Sequence, residues 1–219
     1  ALQSKTGKVG YIGGTKIPPV ERFGIGFVQG AKAAKSDIKV MYNYSGTFSD
    51  TNKGKTLAAT MYDSGADVIF VAAGNTGNGV ISEAKERGII DMSKSGEIKH
   101  WVVGVDKDQY EEGIFKGKDK DGKEYQKSAV LTSAVKNIEV AVTKILNEIK
   151  EGKFTKGEHV FGIKENGVGI PKENPNLSDE VKTKVASAIE ELKSGKAEVV
   201  ATGDELKAKG SVTNIEGEL

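Results

Sequence analysis

The chain has 219 residues, with 32 lysines and arginines against 31 aspartates and glutamates and a formal net charge of +1 at pH 7. This balance provides no electrostatic case for nucleic-acid binding, since proteins that bind the phosphate backbone carry a clustered basic excess. The chain has no cysteine, which excludes disulfides, thiolate catalysis and cysteine metal sites. No apolar stretch approaches the ~20 residues that a membrane-spanning helix needs.

Four short apolar runs dominate the first half of the sequence, at 9–12, 40–44, 68–73 and 101–105. Each run ends where a polar or glycine-rich segment begins, and stretches with helical spacing separate them. This alternation predicts an α/β fold with a doubly wound, mostly parallel sheet. The carboxyl ends of parallel strands share one edge, where ligands bind, so we predict a small-molecule site at that edge.

The first half of the chain predicts four strands and three helices. Pro18-Pro19 suits the first turn of a helix, where a missing N–H costs little, and Gly65 and Gly88 suit the positions just after two further helices. In chain order we predict a strand at 8–12, a helix from Pro18-Pro19, a strand at 38–44, a helix at 52–64, a strand at 67–73, a helix at 77–87 and a strand at 99–105.

The second half is less regular. Residues 111–127 are polar and rich in lysine, which predicts a surface loop. An amphipathic helix that Gly152 ends has an apolar stripe of Val135, Ile138, Val142, Ile145, Leu146 and Ile149. The other predictions are a strand at 129–132, extended pieces at 159–163 and 168–170 around the turn Asn166-Gly167, a helix capped by Ser178, a strand at 198–201 and a tail from Thr202 with little to bury.

The glycine-rich segment from Gly74 to Gly79 follows a strand and opens a helix. Its free N–H groups and the helix dipole suit an anion or the polar edge of a ligand. Its spacing differs from the dinucleotide-binding fingerprint. The alternative is a glycine turn that serves packing alone.

Three side chains near predicted strand ends are candidates for ligand binding. Asp106 ends an apolar strand, where a carboxylate suits the hydroxyls of a ribose diol, or alternatively caps a helix or forms a turn. Phe48 follows the second strand, where an aromatic ring suits stacking on a flat base, unless it is a core phenylalanine. Lys136 is predicted at the start of the long helix, where the dipole disfavours a cation. An anionic partner or simple solvent exposure would account for it.

No nucleophile has an evident base, and no set of side chains has the spacing of a metal site. We therefore predict no catalytic residue, no cofactor and no metal.

Six segments, in this order, give the chain a resemblance to a known family. They are GKVGYIGG at 7–14, YSGTFSD at 44–50, GADVIFVAAG at 65–74, VGVDKDQ at 103–109, LTSAVK at 131–136 and NGVG at 166–169. Together they resemble the basic membrane protein family, the purine-nucleoside-binding lipoproteins of bacterial ABC importers. The resemblance runs from about residue 2 to residue 201.

In that family two α/β lobes close over a nucleoside. The resemblance implies that Phe48 packs on the base and that Gly74 lies against the ligand. It implies that Asp106 accepts hydrogen bonds from the ribose hydroxyls, with Lys136 beside it to keep the carboxylate charged. Asp50 falls at a contacting position but departs from the usual apolar type.

The resemblance also implies a domain organisation of the type I periplasmic-binding-protein kind. Residues 7–132 with 159–201 would form the second, C-terminal lobe, and 1–6 with 133–158 would be remnants of the first lobe, followed by a tail at 202–219. We expect a truncated form that lacks the first part of its N-terminal lobe. The stripe at 135–149 would then be repacked on its own lobe or covered by another chain, as a homo-oligomer or a swapped chain. Nucleoside affinity would be reduced.

The function that the resemblance implies is that of an extracytoplasmic solute-binding protein and not of an enzyme. It would deliver purine nucleosides of the inosine, guanosine and adenosine class to an ABC permease, and a lipid anchor would hold the full-length protein at the cell membrane. Two alternatives stay open: a ligand-sensing regulatory module of the same fold, and an α/β enzyme that acts on nucleosides.

Overall fold

The computed structural model describes residues 1–210, 213–217 and 219. Its strands are β1 (Lys8–Gly13), β2 (Lys39–Tyr44), β3 (Val68–Ala72), β4 (Trp101–Asp106), β5 (Ile114–Lys118), β6 (Glu124–Ser128), β7 (Val130–Lys136), β8 (Val168–Gly169) and β9 (Ile215–Gly217). Its helices are α1 (Pro18–Ala34), α2 (Thr51–Asp63), α3 (Asn75–Ser95), α4 (Ile138–Lys150), α5 (Asp179–Ser194) and α6 (Gly203–Ala208).

Within the described residues, one sheet has the strand order β8-β7-β4-β3-β1-β2-β9. Every neighbouring pair in it is parallel except β7 and β8, which are antiparallel. The chain passes from β1 to β2 on one side, then crosses to β3 on the other side of β1, so the order of strands reverses there. In a doubly wound sheet, the crevice beyond that reversal is where ligands bind. The predicted fold class is confirmed.

Helices cover both faces of the sheet because the apolar side chains of each strand alternate between them. On one face, α1 packs on a cluster that contains Tyr11 and Tyr42. On the other, α2 and α3 pack on a cluster that contains Ile12, Ile69 and Val71. Each fully buried side chain of this size stabilises the fold by ~1.5–3 kcal/mol. These two cores hold the ends of the central strands in fixed positions.

The loop predicted at 111–127 is wrong, because β5 and β6 form an antiparallel hairpin there. Phe115 is buried against α3 and the ring of Tyr125, so an isolated aromatic anchors the lysine-rich segment. The predicted end of the third helix at Gly88 is wrong for a related reason. A Cβ at Gly88 would crowd the ring of Phe115, so this glycine lies inside α3, and Gly96 ends the helix at a φ of 76°.

The predictions for the second half need four corrections. The strand predicted at 129–132 continues to Lys136, which places Val135 in the sheet and not on the helical stripe. Residues 159–163 form no strand, and β8 pairs with β7. Residues 198–201 are not a strand either. The tail contributes α6, whose Leu206 is 1% exposed, and β9, which pairs with β2. The predicted cap is confirmed, since Ser178 accepts a hydrogen bond from Val181 N–H.

Within the described residues, the apolar stripe of α4 is not covered. Ile138, Val142, Leu146 and Ile149 are all exposed, with Ile138 at 63% and Leu146 at 59%. Of the two expected arrangements, repacking of the stripe on its own lobe is therefore wrong, and coverage by another chain stays a prediction. None of the described helices is long and apolar enough to cross a membrane.

Candidate functional site

The site lies at the carboxyl edge of the parallel strands. Five strands end there side by side, with Lys136, Asp106, Ala72, Gly13 and Tyr44 as their last residues in sheet order. Neighbouring strands are ~4.8 Å apart, so segments that leave these ends meet over a short distance. The reversal of strand order between β1 and β3 puts the ligand crevice in the middle of this row.

Phe48 lies in the loop that follows β2, over the end of β1. The loop is fixed to β1 by hydrogen bonds from Ser45 N–H to the Gly13 carbonyl, at 2.8 Å, and from Gly46 N–H to the Gly14 carbonyl, at 2.7 Å. The ring covers Gly14, where a Cβ would overlap the ring carbons. Phe48 is 38% exposed. It is therefore not a core phenylalanine, and it presents aromatic surface at the crevice.

Gly74 borders Phe48 from the end of β3. It has φ 55° and ψ −132°, a conformation open to glycine and strained for other residues. A Cβ here would stand 3.2 Å from the Phe48 carbonyl oxygen. Gly74 is therefore needed both for the turn into α3 and for the close approach of the Phe48 loop.

The remaining glycines of the 74–79 segment serve packing. Gly77 and Gly79 are buried inside α3, and a Cβ at Gly79 would overlap the carbonyl oxygen of Thr51 at the start of α2. A Cβ at Gly54 of α2 would in turn overlap the carbonyl oxygen of Thr76. Gly77 and Gly79 therefore serve helix packing, as the alternative to ligand binding predicted. Gly74 is the glycine of this segment that lies beside Phe48.

Asp106 and Lys136 form an ion pair at the ends of β4 and β7. Lys136 Nζ lies 2.9 Å from Asp106 Oδ1, with side chains 42% and 56% exposed. The expected position of Lys136 at a helix start is wrong: it ends β7, because the register with β4 continues through Asp106 and Val135. An ion pair this exposed contributes only ~0–1 kcal/mol to stability. Stabilisation of the fold therefore does not explain why the pair is present.

The backbone at Asp106 is strained. Asp106 has a φ of 69°, and Lys107 N–H donates to the Val105 carbonyl across it at 2.9 Å. A three-residue turn with positive φ at its centre is rare and strained, and such strain is concentrated at functional sites. Asp tolerates positive φ better than most residues. The turn predicted as an alternative for Asp106 is thus present, and it leaves the carboxylate in solvent beside Lys136.

Asp50 has a structural role that explains its polar side chain. It is the N-cap of α2, and its Oδ1 accepts a hydrogen bond from Lys53 N–H at 2.9 Å. Aspartate is among the preferred residues at this position because it pairs an N–H that the helix cannot satisfy. Its contact with a ligand stays a prediction.

Three further residues of the site were not predicted from the sequence. Gly14 supports the Phe48 ring, the Phe23 ring lies 5.0 Å below Lys136 Nζ, and Thr76 hydrogen-bonds the Phe48 loop. The double glycine Gly13-Gly14, after the predicted first strand, was a signal for Gly14. Phe23 fell in the helical stripe of α1 and gave no separate signal.

The structure thus brings four of the five predicted residues together in two pairs. Phe48 contacts Gly74 at the ends of β1 and β3, and Asp106 contacts Lys136 at the ends of β4 and β7. Because β3 and β4 are neighbouring strands, the two pairs lie at adjoining strand ends on the same edge of the sheet. An aromatic surface and a carboxylate beside an ammonium are suited to a ligand with a flat ring at one end and hydroxyls at the other.

Known proteins are similar to this chain over most of its length. A family model described as "Bmp: ABC transporter substrate-binding protein PnrA-like" matches residues 1–202. The "ABC transporter nucleoside-binding protein BmpA" of Lactococcus lactis subsp. cremoris is 44% identical over 200 residues, which is 91% of this chain and 54% of that protein. The "CD4+ T-cell-stimulating antigen" of Listeria monocytogenes is 38% identical over 90% of this chain and 54% of that protein.

Solved structures show the same fold. A crystal structure of ABC transporter system solute-binding proteins from Aeropyrum pernix K1 matches with a TM-score of 0.68 and 23% identity, over 94% of this chain and 62% of that one. The chain spans about half the length of the relatives it matches, 54% in both cases. With a family model over residues 1–202 and a relative 44% identical, the chain belongs to the Bmp family of PnrA-like ABC transporter substrate-binding proteins.

Proposed function

We propose that this chain captures purine nucleosides for an ABC importer, in the crevice bordered by Phe48, Gly74, Asp106 and Lys136. The observation that carries the proposal is the pairing of an exposed aromatic surface with a carboxylate–ammonium pair at one edge of one sheet. The Lactococcus relative, whose name describes a nucleoside-binding protein, supports the same ligand class.

Phe48 is suited to the base. Its ring is fixed on one side by Gly14 and is accessible on another, and aromatic rings gain about 0.5–1.5 kcal/mol from offset stacking beyond the area that they bury. Gly74 has no side chain to keep a planar ligand away from the backbone. A purine offers a larger stacking face than a pyrimidine, so we propose purine nucleosides as the ligand class.

Asp106 is suited to the ribose. A carboxylate only accepts hydrogen bonds and has about four acceptor positions, so Asp106 can bind Lys136 and two vicinal hydroxyls at once. Hydrogen bonds to an ionised group are roughly twice as strong as neutral ones. Lys136, 2.9 Å away, offsets the charge of the carboxylate when a ligand excludes water from it. We propose that hydrogen bonds from the two ribose hydroxyls to Asp106 make the site prefer ribonucleosides over deoxynucleosides.

The exposed stripe of α4 supports a further part of the proposal. Contiguous apolar surface of this kind marks an interaction site, and Ile138, Val142, Leu146 and Ile149 form such a surface. We propose that residues 7–132 with 159–201 form one ligand-binding lobe, that 1–6 and 133–158 belong to a second lobe, and that α4 packs on the rest of that lobe or on another chain. We propose reduced affinity for this chain alone, and an extracytoplasmic, lipid-anchored location for the full-length protein beside its permease.

The proposal is tested by NMR titration of the 219-residue chain, which reaches millimolar dissociation constants. Inosine should bind saturably, hypoxanthine and 2′,3′-dideoxyinosine at least about tenfold more weakly, because each lacks one of the two groups that the site recognises. Phe48→Ala should weaken inosine binding, whereas Phe154→Ala, at an exposed phenylalanine after α4, should not. Absence of saturable binding, or equal binding of all three compounds, would contradict the proposal. Release of hypoxanthine from inosine would favour the enzyme alternative.

A further inference from the structure

Thr76 is buried directly beneath the exposed Phe48 loop. It is the second residue of α3 and is 0% exposed, although Phe48 is partly open to solvent. A polar side chain this deeply buried must form hydrogen bonds, because an unpaired hydroxyl would weaken the fold. Its partners are all in the loop that carries the Phe48 ring.

Three hydrogen bonds join Thr76 to consecutive parts of that loop. Thr76 N–H donates to the Phe48 carbonyl at 3.2 Å. The Thr76 hydroxyl donates to the Thr47 carbonyl at 3.3 Å and accepts from Asp50 N–H at 3.0 Å. One residue therefore holds the backbone before, at and after Phe48, and the hydroxyl acts as donor on one side and acceptor on the other.

Thr76 is itself fixed in place. Its carbonyl oxygen lies where a Cβ of Gly54 would be, so the close packing of α2 and α3 leaves no room for it to move. The turn at Gly74, with its positive φ, sets where α3 begins. Thr76 thus joins the packed helices α2 and α3 to the Phe48 loop, in addition to the hydrogen bonds that fix the loop to β1.

We propose that Thr76 is a positioning residue for the nucleobase: its buried hydroxyl holds the Phe48 loop so that the ring stands ready over Gly14 and beside Gly74. This inference rests on the proposed function, and it adds a residue that touches no ligand itself. A ring that is already ordered loses less conformational entropy when a base stacks on it, and such pre-organisation increases affinity. Thr76 therefore acts on binding through Phe48 alone.

The test compares two substitutions of Thr76. Thr76→Val keeps the shape and removes the hydroxyl, and Thr76→Ser keeps the hydroxyl and removes the methyl. Thr76→Val should weaken inosine binding about five- to tenfold, because Asp50 N–H loses its acceptor and the Thr47 carbonyl keeps only the hydrogen bond from the Ser45 hydroxyl. Thr76→Ser should stay within about twofold of the unsubstituted chain. Equal binding by the unsubstituted chain and by Thr76→Val would overturn the proposal.

A double-mutant cycle separates positioning from a general structural effect. In the Phe48→Ala background, Thr76→Val should have no further effect on affinity, because there is no ring to position. A loss as large as in the unsubstituted chain would mean that Thr76 acts by another route and would overturn the proposal.

Amide hydrogen exchange tests the same geometry without a ligand. The Asp50 amide should be protected in the unsubstituted chain and should exchange at least about tenfold faster in Thr76→Val. If Thr76→Val does not fold, Thr76→Ala takes its place. An Asp50 amide that exchanges as in an unstructured peptide would overturn this inference whatever the affinities are. Absence of inosine binding combined with a slow Asp50 amide would instead count against the proposed function.

Discussion

Lys136 Nζ lies 2.9 Å from Asp106 Oδ1, across the ends of two neighbouring parallel strands. The same ammonium lies 5.0 Å from the centre of the Phe23 ring. A cation over an aromatic face gains about 0.5–1 kcal/mol at an exposed site, so Phe23 and Asp106 together fix the position of the lysine. The pair is about half exposed and contributes little to stability, and we propose that it serves ligand binding.

Asp106→Asn should separate binding from folding. Asparagine also tolerates positive φ, and the exposed ion pair contributes little to stability, so the free energy of unfolding should change by less than about 1 kcal/mol. Inosine binding should fall about 10- to 100-fold, because hydrogen bonds to a charged acceptor are lost. NMR titration and urea unfolding measure the two quantities. Asp121→Asn, in the β5–β6 turn, is the control that removes an equal charge far from the site, and an equal loss of affinity there would contradict the account.

Gly14→Ala should impair binding more than stability. The added Cβ would overlap the Phe48 ring, and because that ring is partly exposed it can move aside at a cost of about 1 kcal/mol, the low end for an added side-chain carbon. The displaced ring would no longer lie at the crevice, so inosine binding should fall about tenfold. Gly26→Ala is the matched control: nothing lies within 4 Å of its Cβ. It should stabilise α1 by about 0.5–1 kcal/mol and leave affinity unchanged. A loss of affinity in Gly26→Ala alone would contradict this.

Asp91 should make the fold sensitive to acid. Its Oδ2 accepts hydrogen bonds from the backbone N–H groups of Lys99 and His100 and lies 2.8 Å from the His100 ring. Burial raises the pKa of Asp91, but the hydrogen bonds from His100 and from the backbone outweigh it and hold the pKa below its usual value. The ionised carboxylate therefore stabilises the fold fully above the unfolded-state pKa of about 3.9, and this contribution disappears as the pH falls through the lower folded-state pKa.

The corresponding measurement is urea unfolding of the unsubstituted chain and Asp91→Asn at pH 5 and pH 3. At pH 5 the substitution should lower the free energy of unfolding by about 1–3 kcal/mol. At pH 3 the difference should be smaller. A difference that is the same at both values would contradict the assignment of the carboxylate as the stabilising group.

The stripe on α4 should tolerate charge in the isolated chain. Leu146 is 59% exposed, so Leu146→Lys should change the free energy of unfolding by less than about 0.5 kcal/mol. It should also reduce self-association, which sedimentation velocity measures, because it interrupts an exposed apolar surface. Val80→Lys, at a fully buried position of α3, should by contrast prevent folding. A large loss of stability in Leu146→Lys would mean that the stripe is packed within the monomer.

The central sheet could be predicted because its strands are buried on both faces and read as continuous apolar runs. The β5–β6 hairpin could not, because Phe115 is a single aromatic residue in a lysine-rich segment and its burial depends on contact with α3. Gly88 was wrongly predicted to end α3. It lies inside the helix, because its lack of a side chain leaves room for the Phe115 ring. The pairing of β9 with β2 joins residues far apart in the sequence, and no local pattern indicates it.

Some residues of the candidate site could likewise be predicted from the sequence, and others could not. Phe48, Gly74 and Asp106 could be selected because polar and aromatic residues follow apolar strands in the sequence. Thr76 and Phe23 could not, since their roles depend on hydrogen bonds and ring contacts between segments that only the fold brings together. Asp50 was selected because it falls at a contacting position of the family. Its role as the cap of α2 could not be predicted from that position.

A crystal structure of the chain with inosine bound would show directly whether Phe48, Gly74 and Asp106 bind the nucleoside. We expect the purine to lie on the Phe48 ring beside Gly74 and both ribose hydroxyls to donate to the Asp106 carboxylate. Inosine bound at another face of the molecule, or in this crevice with its ribose turned away from Asp106, would contradict this expectation.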